Sequence, residues 1–142
     1  MLNLKKSKKF KILAFIGVIL LSVGMMTSCK YLDLDYEKGS LVVRNESGKT
    51  NMDITSVFVA AKGESGFTLV FTGAIKNDKA QFIRLNPGSY RVQVGVTTTD
   101  PDTNVSTTKY YQTGHNDYRK LDKDDFLTVV FDYDAGWGIH FD

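Results

Sequence analysis

The sequence predicts an all-β fold: a single Greek-key β-sandwich of about seven to eight strands over residues 39–142, following an N-terminal signal helix. Three observations carry this expectation. From Gly39 onward apolar residues recur with a period of two, the alternation of a half-buried strand. Clusters of Gly, Asn, Asp, Ser and Pro interrupt the chain about every 8–12 residues, the spacing of sandwiches and barrels. After Cys29 no stretch keeps a helical period for as long as three turns, and no internal repeat is visible.

The elements follow in order. Leu41 and Val43 alternate with Val42 and Arg44, and Asn45-Glu46-Ser47-Gly48 reads as the turn that ends this strand. Residues 54–61 form a β-branched run, with Val57 and Val59 on one side and Phe58 and Ala60 on the other. Phe67, Leu69 and Phe71 alternate with Thr68, Val70 and Thr72, and residues 73–79 read as a polar loop around Asn77-Asp78. A short strand at 81–85 is followed by the cleanest one-faced strand of the chain. There Tyr90, Val92, Val94 and Val96 alternate with Arg91, Gln93 and Gly95. Residues 107–112 form a weaker strand, and only 114–125 leaves room for a helical turn. Leu127, Val129, Phe131 and Tyr133 share a face opposite Phe126 and Val130. Trp137, Ile139 and Phe141 then alternate with Gly138 and His140, and Trp137 and Tyr90 are expected to pack into the core or sheets.

One local motif is more specific. In Leu85-Asn86-Pro87-Gly88-Ser89-Tyr90-Arg91-Val92, Pro87 presets φ and Gly88 suits the positive φ of a type II turn, so Leu85 and Tyr90 fold inward at a corner between sheets. These residues resemble the corner of fibronectin type III domains and the Leu-x-Pro-Gly-x-Tyr-x-Val pattern of transthyretin-like domains. The resemblance covers about ten residues and implies a Greek-key sandwich and a Tyr90 hydroxyl bonded to backbone a few residues upstream. It implies no activity. A fibronectin-type domain would carry a Trp in its second strand, and this chain does not.

The opening segment has three parts. Lys5, Lys6, Lys8, Lys9 and Lys11 precede an apolar stretch of 15 residues (12–26), and Thr27-Ser28 leads to Cys29, the only cysteine. This is the layout of a secretory signal peptide, whereas a spanning helix needs about 20 apolar residues. Met26-Thr27-Ser28-Cys29 resembles the lipobox of bacterial lipoproteins, with Met26 where the pattern prefers Leu. The resemblance implies cleavage between Ser28 and Cys29, acyl chains on Cys29, and a place in the cell envelope, anchored to a membrane. Residues 1–28 are then the signal peptide, 29–38 the lipidated tether and 39–142 the domain. The acidic tether reads as a solvated linker and also resembles surface-export signals of some bacterial lipoproteins.

Charge supports this division. All five basic residues before Cys29 lie in the leader, so the remainder carries 13 basic against 16 acidic residues. A mildly acidic body lacks the basic footprint of a nucleic-acid binder. With its one thiol consumed, the mature chain has no cysteine for catalysis, and two His do not supply the usual zinc ligand set.

Candidate sites are few, and no cofactor, metal or catalytic residue is expected. The Asp100-Pro101-Asp102-Thr103-Asn104 segment opens like a calcium loop, but Val105 stands where the EF-hand needs Gly and Tyr111 where it needs Glu. A turn held by the Asp100 side chain accounts for it better. No Gly-x-Ser-x-Gly elbow supports a hydrolase. An enzyme would need two or more of His115, His140 and the late aspartates to meet in one cleft. Tyr110, Tyr111, His115 and Tyr118 are the candidate partner-binding residues, since Tyr offers rigid contact area with a polar tip. The expected protein is a non-catalytic binding or structural module whose partner is an envelope protein, a glycan or a host component. The alternative is a small β-barrel that carries an apolar ligand.

Overall fold

The computed structural model describes residues 37–134 and 138–142. The signal segment, Ser28, Cys29, the tether as far as Tyr36, and Trp137 lie outside the described residues. The strands are β1 (Gly39–Asn45), β2 (Met52–Ala61), β3 (Thr68–Ile75), β4 (Lys79–Leu85), β5 (Gly88–Thr99), β6 (Ser106–Gln112), β7 (Arg119–Leu121), β8 (Phe126–Asp132) and β9 (Gly138–Phe141). They form two sheets, the first ordered β4-β1-β8-β9 and the second β3-β2-β5-β6, with β7 also on β5. β2 and β3 pair, the chain crosses to the first sheet as β4, and β5 returns to lie beside β2. That spatial order, β5-β2-β3-β4, is a Greek key. β1 and β8 run parallel; every other paired neighbour is antiparallel.

The inward faces make one core. Leu41, Val43, Ile83, Leu85, Leu127, Val129, Phe131 and Ile139 from the first sheet meet Ile54, Val57, Val59, Val92, Val94, Val96 and Leu121 from the second. Each such aliphatic side chain contributes about 1.5–3 kcal/mol by leaving water, which is why the period-two pattern selects one face of each strand.

Two irregularities in β2 change which residues point inward. The pairing of β2 with β5 runs Ile54↔Val96, Ser56↔Gly95, Val57↔Val94, so a bulge at Thr55 and Ser56 puts Ile54 and Val57 on one face although they are three apart. Against β3, a second shift pairs Val57 with Phe71 but Phe58 with Leu69. Leu69 therefore leaves the face expected from its alternation with Phe71 and is exposed, while Val70 and Phe71 pack on the core.

Residues 114–125 form no helix; single hydrogen-bonded turns, from the Asp117 N–H to the Gly114 carbonyl at 2.9 Å and from the Asp125 N–H to the Asp122 carbonyl at 3.3 Å, flank β7, a ninth strand. Three residues are too few to show a period. β7 forms because β6 occupies β5 only from Gln93 onward, leaving Gly88–Tyr90 to pair with Arg119–Leu121, and Leu121 drops into the core. Gly39 is required beside it: a Cβ there would stand 2.5 Å from the Asp122 carbonyl oxygen. The loop expected at 73–79 is shorter as well, since β3 continues to Ile75 and β4 begins at Lys79.

The corner between β4 and β5 bears out its tyrosine and corrects its turn. The Tyr90 hydroxyl donates to the Asn86 carbonyl at 2.7 Å, and Leu85 is buried. Gly88 does not take a positive φ, so no type II turn forms. It is drawn into the β5–β7 ladder instead, where its missing side chain leaves room for the Tyr90 ring, 3.3 Å from a built Cβ.

Burial, and secondarily the Glu64 carboxylate, raises the Tyr90 pKa above its ordinary value. The native state thus holds this proton more tightly than the unfolded chain. The stabilisation is complete below about pH 10 and is lost as pH rises through the raised native value. Tyr90→Phe removes both the titration and a hydrogen bond of about 1 kcal/mol. Wild type is expected to melt above Tyr90→Phe at pH 9, with the gap shrinking by pH 11 in paired thermal melts. A constant gap would contradict the assignment.

Candidate functional site

The four candidate residues lie on β6 and the loop 113–118, and the structure distributes them over both faces of the second sheet. Tyr110 and Tyr111 are adjacent and so point to opposite faces. Tyr110 lies on the outer face, 61% exposed, edge-on to Phe58 at 6.1 Å. Tyr111 points inward and packs on Phe131 at 5.1 Å, half-buried. Tyr118 and His115 gather around Arg91.

Arg91 was legible only as the polar face of a strand. In the fold it is 8% exposed, its guanidinium 4.6 Å from the centre of the Phe67 ring and 5.9 Å from that of Tyr118. Its Nη1 lies 3.1 Å from His115 Nδ1. A guanidinium only donates, so His115 accepts at Nδ1 and its ring proton sits on Nε2. Two aromatic faces stabilise the buried cation in place of a carboxylate. Phe67 comes from the connection between β2 and β3 and Tyr118 from that between β6 and β7, too distant in sequence to announce the cluster.

His115 and His140 line one hollow of about 450 Å3 where β6 approaches β9, together with Asp117, Gln112, Thr113 and Ile139. The arrangement thus brings both imidazoles to one place. Their neighbours are engaged, however: Arg119 Nε donates to Asp117 at 3.0 Å, and Thr113 Oγ1 accepts the Val92 N–H at 3.1 Å. Among the described residues of this lining none is a Ser or Cys nucleophile. Among the described residues no three His, Asp or Glu side chains gather to hold a metal ion.

A wider hollow, about 610 Å3, opens where the β5–β6 hairpin leaves the sandwich. One wall is β6, whose Thr107, Lys109 and Tyr111 share the inward side because they face Thr98, Val96 and Val94. The other holds Asn51, Met52 and Tyr133. The Lys49 ammonium lies 4.9 Å from the centre of the Tyr133 ring. At the rim, Asp100 Oδ1 accepts the N–H groups of Asp102 at 2.8 Å and Thr103 at 3.0 Å, the expected side-chain-held turn. The Thr103 and then the Asp102 backbone N–H hold the Asp100 carboxyl below its ordinary pKa. This mouth combines ring faces, hydroxyls, an amide, the Lys109 ammonium and the Asp100 carboxylate, equipment for holding a polar partner. It lies at the Asn45 end of β1, opposite the end where the chain enters at Gly39, because Asn45 lies beside Phe131 and bonds Met52. Tyr111 is the one predicted residue it contains; Lys109 and Tyr133 join it through a register that no local pattern displays. No protein-family model matches the chain, and a search of curated proteins finds no match.

Proposed function

We propose that the chain is a bacterial envelope lipoprotein, held to a membrane through acylated Cys29, whose sandwich is a non-catalytic binding or structural module. The observation that carries this reading is the order of basic residues, 15 apolar residues, Thr27-Ser28 and then the sole cysteine. Each acyl methylene in the bilayer contributes about 0.8 kcal/mol, so two or three chains anchor a small domain durably. Confinement to a surface raises the effective concentration of neighbours there, so contacts of modest strength suffice. The mouth between β6 and Tyr133 supports the binding role: it is open, polar and placed at the end of the domain distal from Gly39. An envelope protein, a glycan or a host component fits this description. A barrel carrier has less support, because two separate sheets enclose a core filled by their own side chains.

Labelling with a radioactive fatty acid in a lipoprotein-processing bacterium tests the anchor. Wild type is expected to take up label and lose residues 1–28, and Cys29→Ala to do neither. An unlabelled wild type with the leader still attached overturns the proposal. Capture from native envelopes, with Cys29→Ala as control, then identifies what the distal mouth holds.

A further inference from the structure

We propose that the outer face of the first sheet rests on the lipid surface through Phe126 and Phe82, an orientation that builds on the lipid-anchor reading. Phe126 is 63% and Phe82 60% exposed, and the rings meet edge to face at 6.5 Å. Phe126 opens β8 opposite Ser40, and Phe82 pairs with Val42 from the other flank, so the two rings meet across β1. Their neighbours Leu41 and Val43 point into the core, which fixes the phenylalanines on the outer face. Single exposed apolar residues are ordinary; two adjoining exposed rings make a contiguous apolar patch that a contact can cover.

The chain itself indicates what covers the patch. Gly39 is ten residues from Cys29, a reach of at most about 35 Å. The Ser40 N–H is bonded to the Asp125 carbonyl at 2.9 Å, so the tether joins the domain beside Phe126. An acylated Cys29 therefore keeps this end within a tether's length of the bilayer. Charges of both signs border the rings: Arg84 donates to Ser40 Oγ at 3.2 Å, Lys120 pairs with Asp122 at 2.9 Å, and Lys123 is followed by Asp124 and Asp125. Attraction to anionic headgroups is then small, and the rings supply the contact. The distal mouth, at the other end of the strands, lies clear of the Phe126 and Phe82 contact.

The test uses the mature acylated chain with Trp137→Phe, carrying Phe126→Trp or, as a second reporter, Phe82→Trp, in phosphatidylcholine vesicles with brominated acyl chains. Tyr110→Trp, on the outer face of the other sheet, is the control. Both reporters are expected to emit at shorter wavelength and lose intensity to bromine, unchanged by salt, while the control keeps its intensity. Reporters quenched no more than the control, in chains shown by mass spectrometry to be acylated, overturn the orientation and leave the anchor intact. Chains lacking the acyl group overturn both. A spectral shift that follows protein concentration rather than bromine content assigns the patch to a second copy and overturns the proposal.

Discussion

Asn45→Ala is expected to lower the free energy of unfolding by about 3–6 kcal/mol, the combined cost of stranding three buried polar groups. Asn45 is wholly buried at the end of β1. Its Nδ2 donates to the Met52 carbonyl at 2.9 Å and the Ile75 carbonyl at 2.8 Å, and its Oδ1 accepts the Ser47 N–H at 3.1 Å. One amide thus joins the start of β2, the end of β3 and the turn after β1, linking the two sheets where no ladder can. Asn45→Asp keeps the acceptor but sets a carboxylate against two carbonyl oxygens, so it is expected to be at least as damaging. Urea unfolding of the three proteins decides the matter. A loss below about 1 kcal/mol in Asn45→Ala would mean that water replaces the amide without cost.

Phe131→Ala is expected to cost about 3–5 kcal/mol, the range for emptying a buried aromatic site. Among the described residues Phe131 is the largest fully buried side chain, and it supports Tyr111 across the gap between the sheets. Its ring therefore bears both on the core and on one wall of the distal mouth. Phe131→Leu refills most of the volume and is expected to recover more than half of the loss. Denaturant midpoints at constant slope measure both substitutions. Equal losses for Ala and Leu would show that the ring contact, rather than the filled volume, stabilises this site.

The corner and the strands show how far local pattern reaches. Val92, Val94 and Val96 needed only alternation, and the Tyr90 bond to Asn86 followed from a ten-residue motif. The same rule misplaced Leu69, because a bulge set by pairing with β2 breaks the alternation within β3. It passed over β7, a strand defined by vacant space beside β5 rather than by its own composition. The candidate site fared likewise. The late tyrosines and His115 were visible as residue types, but adjacent Tyr110 and Tyr111 lie on opposite faces. Arg91, visible only as a residue alternating with the valine face of its strand, is the buried centre that holds His115 and Tyr118.

By itself the sequence determined the all-β class, the order of most strands, the tyrosine corner and the inward set of valines. These depend on period, turn chemistry and near neighbours, all of which are written within about ten residues. Only the tertiary structure decided the two-sheet order, the role of Asn45 as a buried link, the cage around Arg91 and the residues that share the distal mouth. Those depend on which backbone groups find partners and which side chains lose water when strands far apart in the chain come together. No single segment carries that information, because the cost of an unpaired polar group is set by neighbours contributed from elsewhere.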